Sequence, residues 1–160
     1  MNKISIKTKS YKERMFDSCG PASLKIVLAF YGVEKSEKEL MSLCKVKSHS
    51  GLGTSAENIK NAAEKLGFKA KIKKNSAFKD IELWLKKNVP VIVDWFTRGN
   101  DECAIADGHY SVVEGLDDKF IYLQDPEIGE IRKIKKEDFM KVWFDFKGMH
   151  IKPNQLVIRE

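Results

Sequence analysis

The sequence is poor in cysteine, and its cysteines lack the spacing of a metal site or a disulfide framework. Only three occur among 160 residues, namely Cys19, Cys44 and Cys103, and no C-x-x-C pair is present. An odd, irregularly spaced set does not build a disulfide-rich scaffold, and a structural zinc site has little support. We therefore expect free thiols, no metal, no cofactor and a cytoplasmic location.

Long apolar runs and linkers are also missing. The N-terminal string MNKISIKTKSYKER has no apolar core of the kind that a secretory signal needs. No run approaches the roughly 18 apolar residues of a membrane span, and no repeat or Pro/Gly/Ser-rich linker divides the chain. These absences predict one domain over residues 1–160, without a membrane span.

Acidic residues are outnumbered by basic ones, 23 to 29, which gives a net charge of +6. An excess of basic residues can indicate a protein that binds nucleic acid or an anionic surface. The two basic runs, 69–73 and 132–136, are interrupted by alanine or isoleucine, and the first alternates like a strand with one wet face. Charge runs of this kind are typical of solvated faces. No zinc-finger spacing or RNP-like aromatic string accompanies them, so a nucleic-acid partner is not favoured.

Helix and strand signals change over near the middle of the chain. In the first half, Ser36 with Glu39 and Thr54 with Glu57 have the spacing of capping boxes, and apolar residues recur three and four apart from Leu24 to Tyr31. The predicted helices run from Ser18 or Cys19 to Tyr31, from Ser36, from Thr54 to Leu66, and from Ala77 to Lys87. The second half carries short apolar runs, which predict strands over 89–96, 110–115, 120–123, 130–134 and 155–158, with a short helix over 137–144. The sum is an α+β fold, with helices first and an antiparallel sheet after them.

Cys19 has the strongest chemical context of the three cysteines. It lies at the predicted start of the first helix, in the string Asp-Ser-Cys-Gly-Pro-Ala. Free N–H groups and the helix dipole at such a position stabilise a thiolate, and the same N–H groups can stabilise an oxyanion. A lone cysteine can equally be a small buried hydrophobe. Position alone therefore leaves both interpretations open.

Two further residues have the chemistry to assist a thiol nucleophile. His109 opens a predicted strand and Asp125 closes the next one, so the two side chains can lie side by side across an antiparallel hairpin. A carboxylate beside an imidazole fixes its tautomer and stabilises its cation. Taken singly, an Asp-Pro pair is an ordinary turn and a lone histidine is weak support. His49, in a polar loop, and His150, near the end of the chain, are poorer candidates.

Taken in order, these strings resemble the bacteriocin-processing cysteine peptidases, papain-like domains that cut leader peptides after a double glycine. The resemblance covers about residues 11–144 and rests on Cys-Gly-Pro-Ala on a helix, Gly-His-Tyr opening a strand and Asp-Pro closing the next. It implies a papain-like α+β fold, with an N-terminal helical half packed on a C-terminal antiparallel sheet, and a peptide or protein substrate. It also implies Cys19 as nucleophile, His109 as general base and acid, and Asp125 as the orienting carboxylate of an acyl-enzyme mechanism.

Many members of that family are fused to ABC transporters, whereas no transporter segment is present in this sequence. We therefore expect a stand-alone relative with no fused transporter. Secretion-coupled leader cleavage is correspondingly not expected.

Glu13 departs from the family pattern. The family carries a Gln about six residues before the nucleophile, where its amide donates to the oxyanion, and this sequence has Glu13 there. An ionised carboxylate cannot donate, and the loss of one such donor costs about 100- to 1000-fold in rate. Glu13 could be protonated in a desolvated site, Lys12 could donate instead, or catalysis could be weak or absent. The last case makes a catalytically silent, papain-like peptide-binding module the alternative function.

The positions of Cys19 and His109 in the chain also suggest which residues line the expected cleft. Gly20, Trp95 and Gly108 are candidate cleft residues, because each adjoins Cys19 or precedes His109 in the chain. Gly20 in particular is expected to leave room for a substrate beside the sulfur. The loop 97–107 is a candidate lid, and Cys103 within it is expected to be an exposed thiol or a cleft-lining one.

Overall fold

A computed structural model describes residues 2–47, 53–97, 107–147, 150–153 and 155–159. Five helices occur in these ranges: α1 Cys19–Phe30, α2 Glu37–Leu43, α3 Ala56–Lys65, α4 Phe78–Lys86 and α5 Lys136–Val142. The same ranges contain nine strands: β1 Ile4–Ser5, β2 Ala70–Lys73, β3 Val91–Thr97, β4 Asp107–Leu116, β5 Phe120–Asp125, β6 Glu130–Lys135, β7 Phe144–Lys147, β8 His150–Pro153 and β9 Gln155–Arg159. The α+β class predicted from the sequence is confirmed. The predicted lid falls mostly on residues 98–106, which lie outside the described ranges, as do Cys103 and His49.

Local capping explains where the early helices begin. Ser36 and Glu39 form the predicted capping box at α2, in which each side chain binds the other residue's backbone N–H. At α3 the predicted cap was wrong by one residue. Ser55 accepts from the Asn58 N–H at 3.2 Å, whereas the Thr54 hydroxyl donates to the Cys44 carbonyl at 2.6 Å. A hydroxyl already engaged with the neighbouring loop is not available to cap its own helix.

The main sheet is antiparallel and runs in the order β2-β9-β3-β4-β5-β6, with β1 paired to β4. The strand β3 lies between β4 and β9, and Trp95 of β3 is opposite His109 of β4. A separate hairpin joins β7 to β8. The sequence did not predict this hairpin: the last helix was expected to continue to residue 144, but it ends at Val142 and Phe144 begins β7.

Each face of the sheet is covered by its own hydrophobic core, because successive strand residues point to opposite faces. Val91, Val93 and Trp95 of β3 pack with α4 and α5. Ile92, between them, packs with the core formed by α1, α2 and α3. The helix α1 also contacts β4, the strand that carries His109. This arrangement positions the start of α1 for the site described next.

Candidate active site

His109 and Asp125 form a buried pair on adjacent strands. Val112 of β4 is opposite Gln124 of β5, so Asp125 and His109 lie on one face of the sheet as diagonal neighbours. His109 Nε2 and Asp125 Oδ1 are 2.5 Å apart, and the two residues are 5% and 0% exposed. Antiparallel register therefore joins two residues that are sixteen positions apart in the chain.

Asp125 is held in its charged form by several donors at once. Its carboxylate also accepts from the Glu127 backbone N–H at 3.0 Å and from Nε of Arg132. Burial alone would raise the pKa of Asp125, but hydrogen bonds and positive charge from His109 and Arg132 together hold that pKa below its ordinary value. The sequence assigned Arg132 to a solvated basic run, and that assignment was wrong for this residue. Its guanidinium turns inward because two acceptors, on Asp125 and on Glu127 at 3.0 Å, lie beside it.

Cys19 is the first residue of α1 and is partly exposed. It lies close enough to His109 to act on the pKa of that residue. Because Nε2 of the imidazole faces Asp125, Nδ1 is the ring nitrogen left for the sulfur. Burial opposes a positive charge on His109, but the hydrogen bonds and negative charges of Asp125 and Cys19 prevail and raise the pKa of His109 well above 6.5. The site is therefore suited to an imidazolium between the Asp125 carboxylate and the Cys19 sulfur.

The start of α1 lacks a side-chain cap. Ser18 occupies the cap position, but its hydroxyl makes no bond to the helix. It bonds instead to the Glu37 carboxylate at 2.5 Å and to the Met15 carbonyl at 2.6 Å. Backbone N–H groups in the first turn of a helix have no intrahelical acceptor. Without a serine cap, they can stabilise a negative charge that develops next to Cys19.

Glu13 lies against the turn that follows Asp125. Its backbone N–H donates to the Pro126 carbonyl at 2.8 Å, and Oε2 of its side chain is buried with no hydrogen-bond partner among the described residues. The pKa of Glu13 is raised to about 7, chiefly by burial. The charge of His109 opposes this rise, whereas the carboxylates of Glu127, Asp125 and Glu37 add to it. Glu13 is thus electrostatically coupled to the His109–Asp125 pair.

Glu37 fixes the chain segment that carries Glu13 and leads into Cys19. Its buried carboxylate accepts from the Tyr11 hydroxyl at 2.6 Å, the Arg14 and Met15 backbone N–H groups at 3.1 Å and 3.0 Å, and the Ser18 hydroxyl. These bonds hold the pKa of Glu37 below its ordinary value although burial would raise it. Sequence reasoning missed this residue, because an acidic residue in a first helical turn has the pattern of an ordinary helix start.

Replacing Glu37 by alanine should lower the free energy of unfolding by about 3 kcal/mol, because buried donors would lose their acceptor. The same helix provides a matched control, since Glu39 is exposed and its partners, the Ser36 cap and Lys35, are local. Chemical denaturation of the two alanine variants measures the difference. Equal losses in both would contradict a bracing role for Glu37.

The predicted cleft residues have different surroundings from those expected. Gly20 does not leave open space: a Cβ there would lie 2.5 Å from Thr54 and 3.3 Å from Tyr110, so glycine permits close packing of α1. Trp95 is only 4% exposed, and its ring packs edge-on against His109 at 5.6 Å while its Nε1–H donates to Ser111. The indole ring therefore supports the imidazole by packing against it. Gly108 pairs with Phe96 in the β3–β4 ladder.

The remaining candidates have little connection with this site. Cys44 is fully buried, and burial raises the pKa of its thiol to about 12, which leaves it protonated and unreactive. Lys12 is exposed, with its Cβ over the turn at Gly129. In the part of the chain that the structure describes, the one His, Cys, Asp and Glu cluster with metal-ligand spacing is His109, Asp125 and Glu127. Arg132 already binds both of these carboxylates.

Helices packed on an antiparallel sheet, with a cysteine at a helix start and a histidine on a strand, are typical of the papain-like cysteine peptidase fold. The sequence model of the Peptidase C39 family matches residues 7–153. The chain therefore belongs to the peptidase C39 family, a family of cysteine peptidases. No helix within the described ranges is both long and apolar enough to cross a membrane.

Individual relatives agree with this membership. The chain is 31% identical over 142 residues to a lactococcin transport/processing ATP-binding protein, LcnC-like, of Lactococcus lactis, an alignment covering 88% of this chain and 18% of that protein. It thus spans less than a fifth of the length of this transporter. It is also 31% identical to an uncharacterized protein of Methanothermobacter thermautotrophicus, covering 88% of this chain and 82% of the relative.

A solved structure supports the same family. The double glycine motif protease from an AMS/PCAT transporter, crystallised in complex with the leader peptide, superposes with a TM-score of 0.68 at 26% identity. The match covers 97% of this chain and 93% of that one. The papain-like fold expected from the sequence is therefore confirmed.

Proposed function

We propose that this protein is an active cysteine peptidase in which Cys19 is the nucleophile, His109 the general base and acid, and Asp125 the residue that orients the imidazole. The observation that carries the proposal is the position of His109, bonded to Asp125 at 2.5 Å through Nε2 and close enough to Cys19 for that residue to raise the pKa of the imidazole. A nucleophile, a base and an orienting group in contact are the parts that covalent catalysis requires.

Acylation begins when the Cys19 thiolate attacks the carbonyl carbon of the scissile peptide bond. The new S–C bond gives a tetrahedral intermediate, whose oxygen carries the negative charge next to the free N–H groups of α1. As the intermediate collapses, the C–N bond breaks and the His109 imidazolium gives its proton to the leaving amine. The products are a thioester on Cys19, a free amine and a neutral imidazole.

Deacylation reverses the role of His109. The neutral imidazole takes a proton from a water molecule, which attacks the thioester carbonyl. Collapse of the second intermediate releases a carboxylic acid, and the imidazolium and thiolate return to their starting forms. Throughout both steps the Asp125 carboxylate keeps the ring oriented and stabilises its cation.

The proposed substrate is a peptide that contains a double-glycine motif. This proposal is supported by the solved double glycine motif protease with its leader peptide, to which the chain is similar along 97% of its length. Cleavage after the second glycine would release the two parts of such a peptide. A peptide is accordingly the expected binding partner, with or without turnover.

The test is to trap the acyl-enzyme formed with a quenched-fluorescence peptide that contains one Gly-Gly pair. The three cysteines fall in different tryptic peptides, 15–25, 39–45 and 99–119. Acid quenching followed by mass spectrometry should find the acyl mass on peptide 15–25 alone. Cys44→Ser is the matched control and should leave the adduct unchanged, because that thiol is fully buried and stays protonated.

An absence of both adduct and product would defeat this proposal. If Cys19→Ala then bound the same peptide as tightly as the unaltered protein, the chain would be a silent binding module. The partly buried Glu13 carboxyl is the feature that makes this alternative worth measuring, since in its ionised form it would repel an oxyanion.

A further inference from the structure

Glu13 is a partly buried acid that the acyl-transfer mechanism above does not use. Its position is fixed from two directions. Its own backbone N–H is bound by the Pro126 carbonyl at 2.8 Å, and Glu37 binds the Tyr11 hydroxyl before it and the Arg14 backbone after it. The main chain therefore cannot carry this side chain away from the site without breaking contacts on both sides.

The carboxyl group of Glu13 is incompletely satisfied. Its Oε2 is buried, and the described residues offer it no hydrogen-bond donor. A buried carboxylate oxygen without a donor is costly, because the lost hydration is not replaced. A protonated oxygen removes the charge and becomes a donor itself, one that needs an acceptor such as a carbonyl oxygen.

The surrounding charges favour the protonated form. The groups that act most strongly on Glu13 are His109 of β4, Asp125 of β5, Glu127 of the following turn and Glu37 of α2. The charge of His109 lowers the pKa of Glu13, whereas the three carboxylates raise it. Burial and these carboxylates together raise the pKa of Glu13 to about 7.

We propose that Glu13 works as a neutral carboxylic acid whose O–H donates a hydrogen bond to the substrate carbonyl oxygen as it becomes an oxyanion, so that mild acid favours proteolysis. The donor role rests on the peptidase function proposed above. No proton is transferred in this role; the O–H bond stays intact while charge develops on the oxygen. Ionisation of Glu13 would turn a donor into a repelling charge.

Glu13→Gln separates this role from the rest of the site, because an amide donates at every pH. Above about pH 7, kcat/KM of the unaltered protein for the Gly-Gly peptide should fall about tenfold per pH unit, while that of Glu13→Gln should not. At pH 8.5 the variant should exceed the unaltered protein by about 30-fold. Loss of the His109 proton would limit both proteins alike, so the difference between the profiles reports on Glu13.

Two further variants complete the comparison. Glu13→Ala removes the donor at every pH, and kcat should fall by about 100- to 1000-fold in acid as well. Glu64→Gln makes the same chemical change on the surface of α3, where the residue pairs with Lys60, and should keep the original profile. Identical pH profiles for the unaltered protein and Glu13→Gln would overturn the donor role and leave the peptidase proposal standing.

Thermal unfolding tests the proton on Glu13 independently of turnover. With a folded pKa of about 7 against an ordinary 4.5, its contribution to stability is fully present below about pH 4.5 and is lost as the pH rises through 7. The melting temperature of Glu13→Gln minus that of the unaltered protein should therefore increase between pH 5 and pH 8. A difference that stays constant with pH would mean that Glu13 is already ionised, and the proposal would fail.

Absence of turnover at every pH would overturn the peptidase function and the donor role with it. The pH dependence of the difference in melting temperature would still report whether Glu13 carries a proton.

Discussion

Replacing His109 by alanine should abolish the low-pH reactivity of Cys19 and reduce kcat/KM for the Gly-Gly peptide by about 10⁴-fold or more. The pKa of His109 is raised well above 6.5 by its interactions with Asp125 and Cys19. The positive charge that these partners favour on the imidazole would stabilise an adjacent thiolate. Without it, an ordinary thiol is ionised only near pH 8.5, so alkylation at pH 6 should slow by about 100-fold.

The rate of iodoacetamide addition to the tryptic peptide 15–25 measures this reactivity between pH 5 and pH 9. Cys44 is an internal control, because it is fully buried and should stay slow in both proteins as long as they remain folded. If Cys19 in the unaltered protein already followed the profile of a free thiol, the nucleophile–base pair would be refuted, and the silent binding module would become the leading function.

Replacing Asp125 by asparagine should lower kcat by about 10⁴-fold while the fold is retained. Both side chains that face the carboxylate, through His109 Nε2 and Arg132 Nε, are donors when the imidazole is charged. Two carboxylate oxygens can accept from both, whereas an amide has one oxygen and must turn its NH₂ toward one of the donors. The imidazole ring would then lose its orientation or the stabilisation of its positive charge.

The accompanying loss of stability should be about 3 kcal/mol, because the variant leaves a buried charge without its partner. The pKa of Asp125 is lowered in the folded protein, so its stabilising effect is present above the ordinary value of 3.8 and is lost as the pH falls through the lower folded one. The difference in unfolding free energy between the two proteins should therefore shrink in strong acid.

Asp138→Asn is the matched control for this substitution. Asp138 is an exposed residue of α5 that pairs with Lys141, and its replacement should leave both kcat and stability unchanged. Steady-state kinetics and urea denaturation of the two variants provide the comparison. A fully active Asp125→Asn protein would assign the buried carboxylate a structural role only.

Local signals were sufficient for much of the fold. Ser36 with Glu39 predicted the start of α2, and the apolar spacing from Leu24 to Tyr31 predicted α1 to within a residue. These features depend on contacts between residues three and four apart, which the sequence displays directly. The elements that the sequence mispredicted lie where distant segments compete for a group, as at Thr54, whose hydroxyl binds the Cys44 carbonyl instead of capping α3.

The partnership of His109 with Asp125 could also be predicted, because a hairpin fixes which residues of its two strands are neighbours. The sequence by itself thus determined the helix that carries Cys19, the strands that carry the other two groups, and the α+β class. It also identified Glu13 as the departure from the family pattern.

Only the tertiary structure decided the surroundings of these residues. Arg132, expected to be a surface charge, donates to the Asp125 carboxylate. Glu37 is the acceptor that fixes the segment before Cys19. One oxygen of Glu13 is buried. Each of these outcomes depends on contacts between segments that are distant in sequence, and on the water that those contacts exclude. Desolvation and long-range charge belong to the assembled fold, so no local pattern of residue types can encode them.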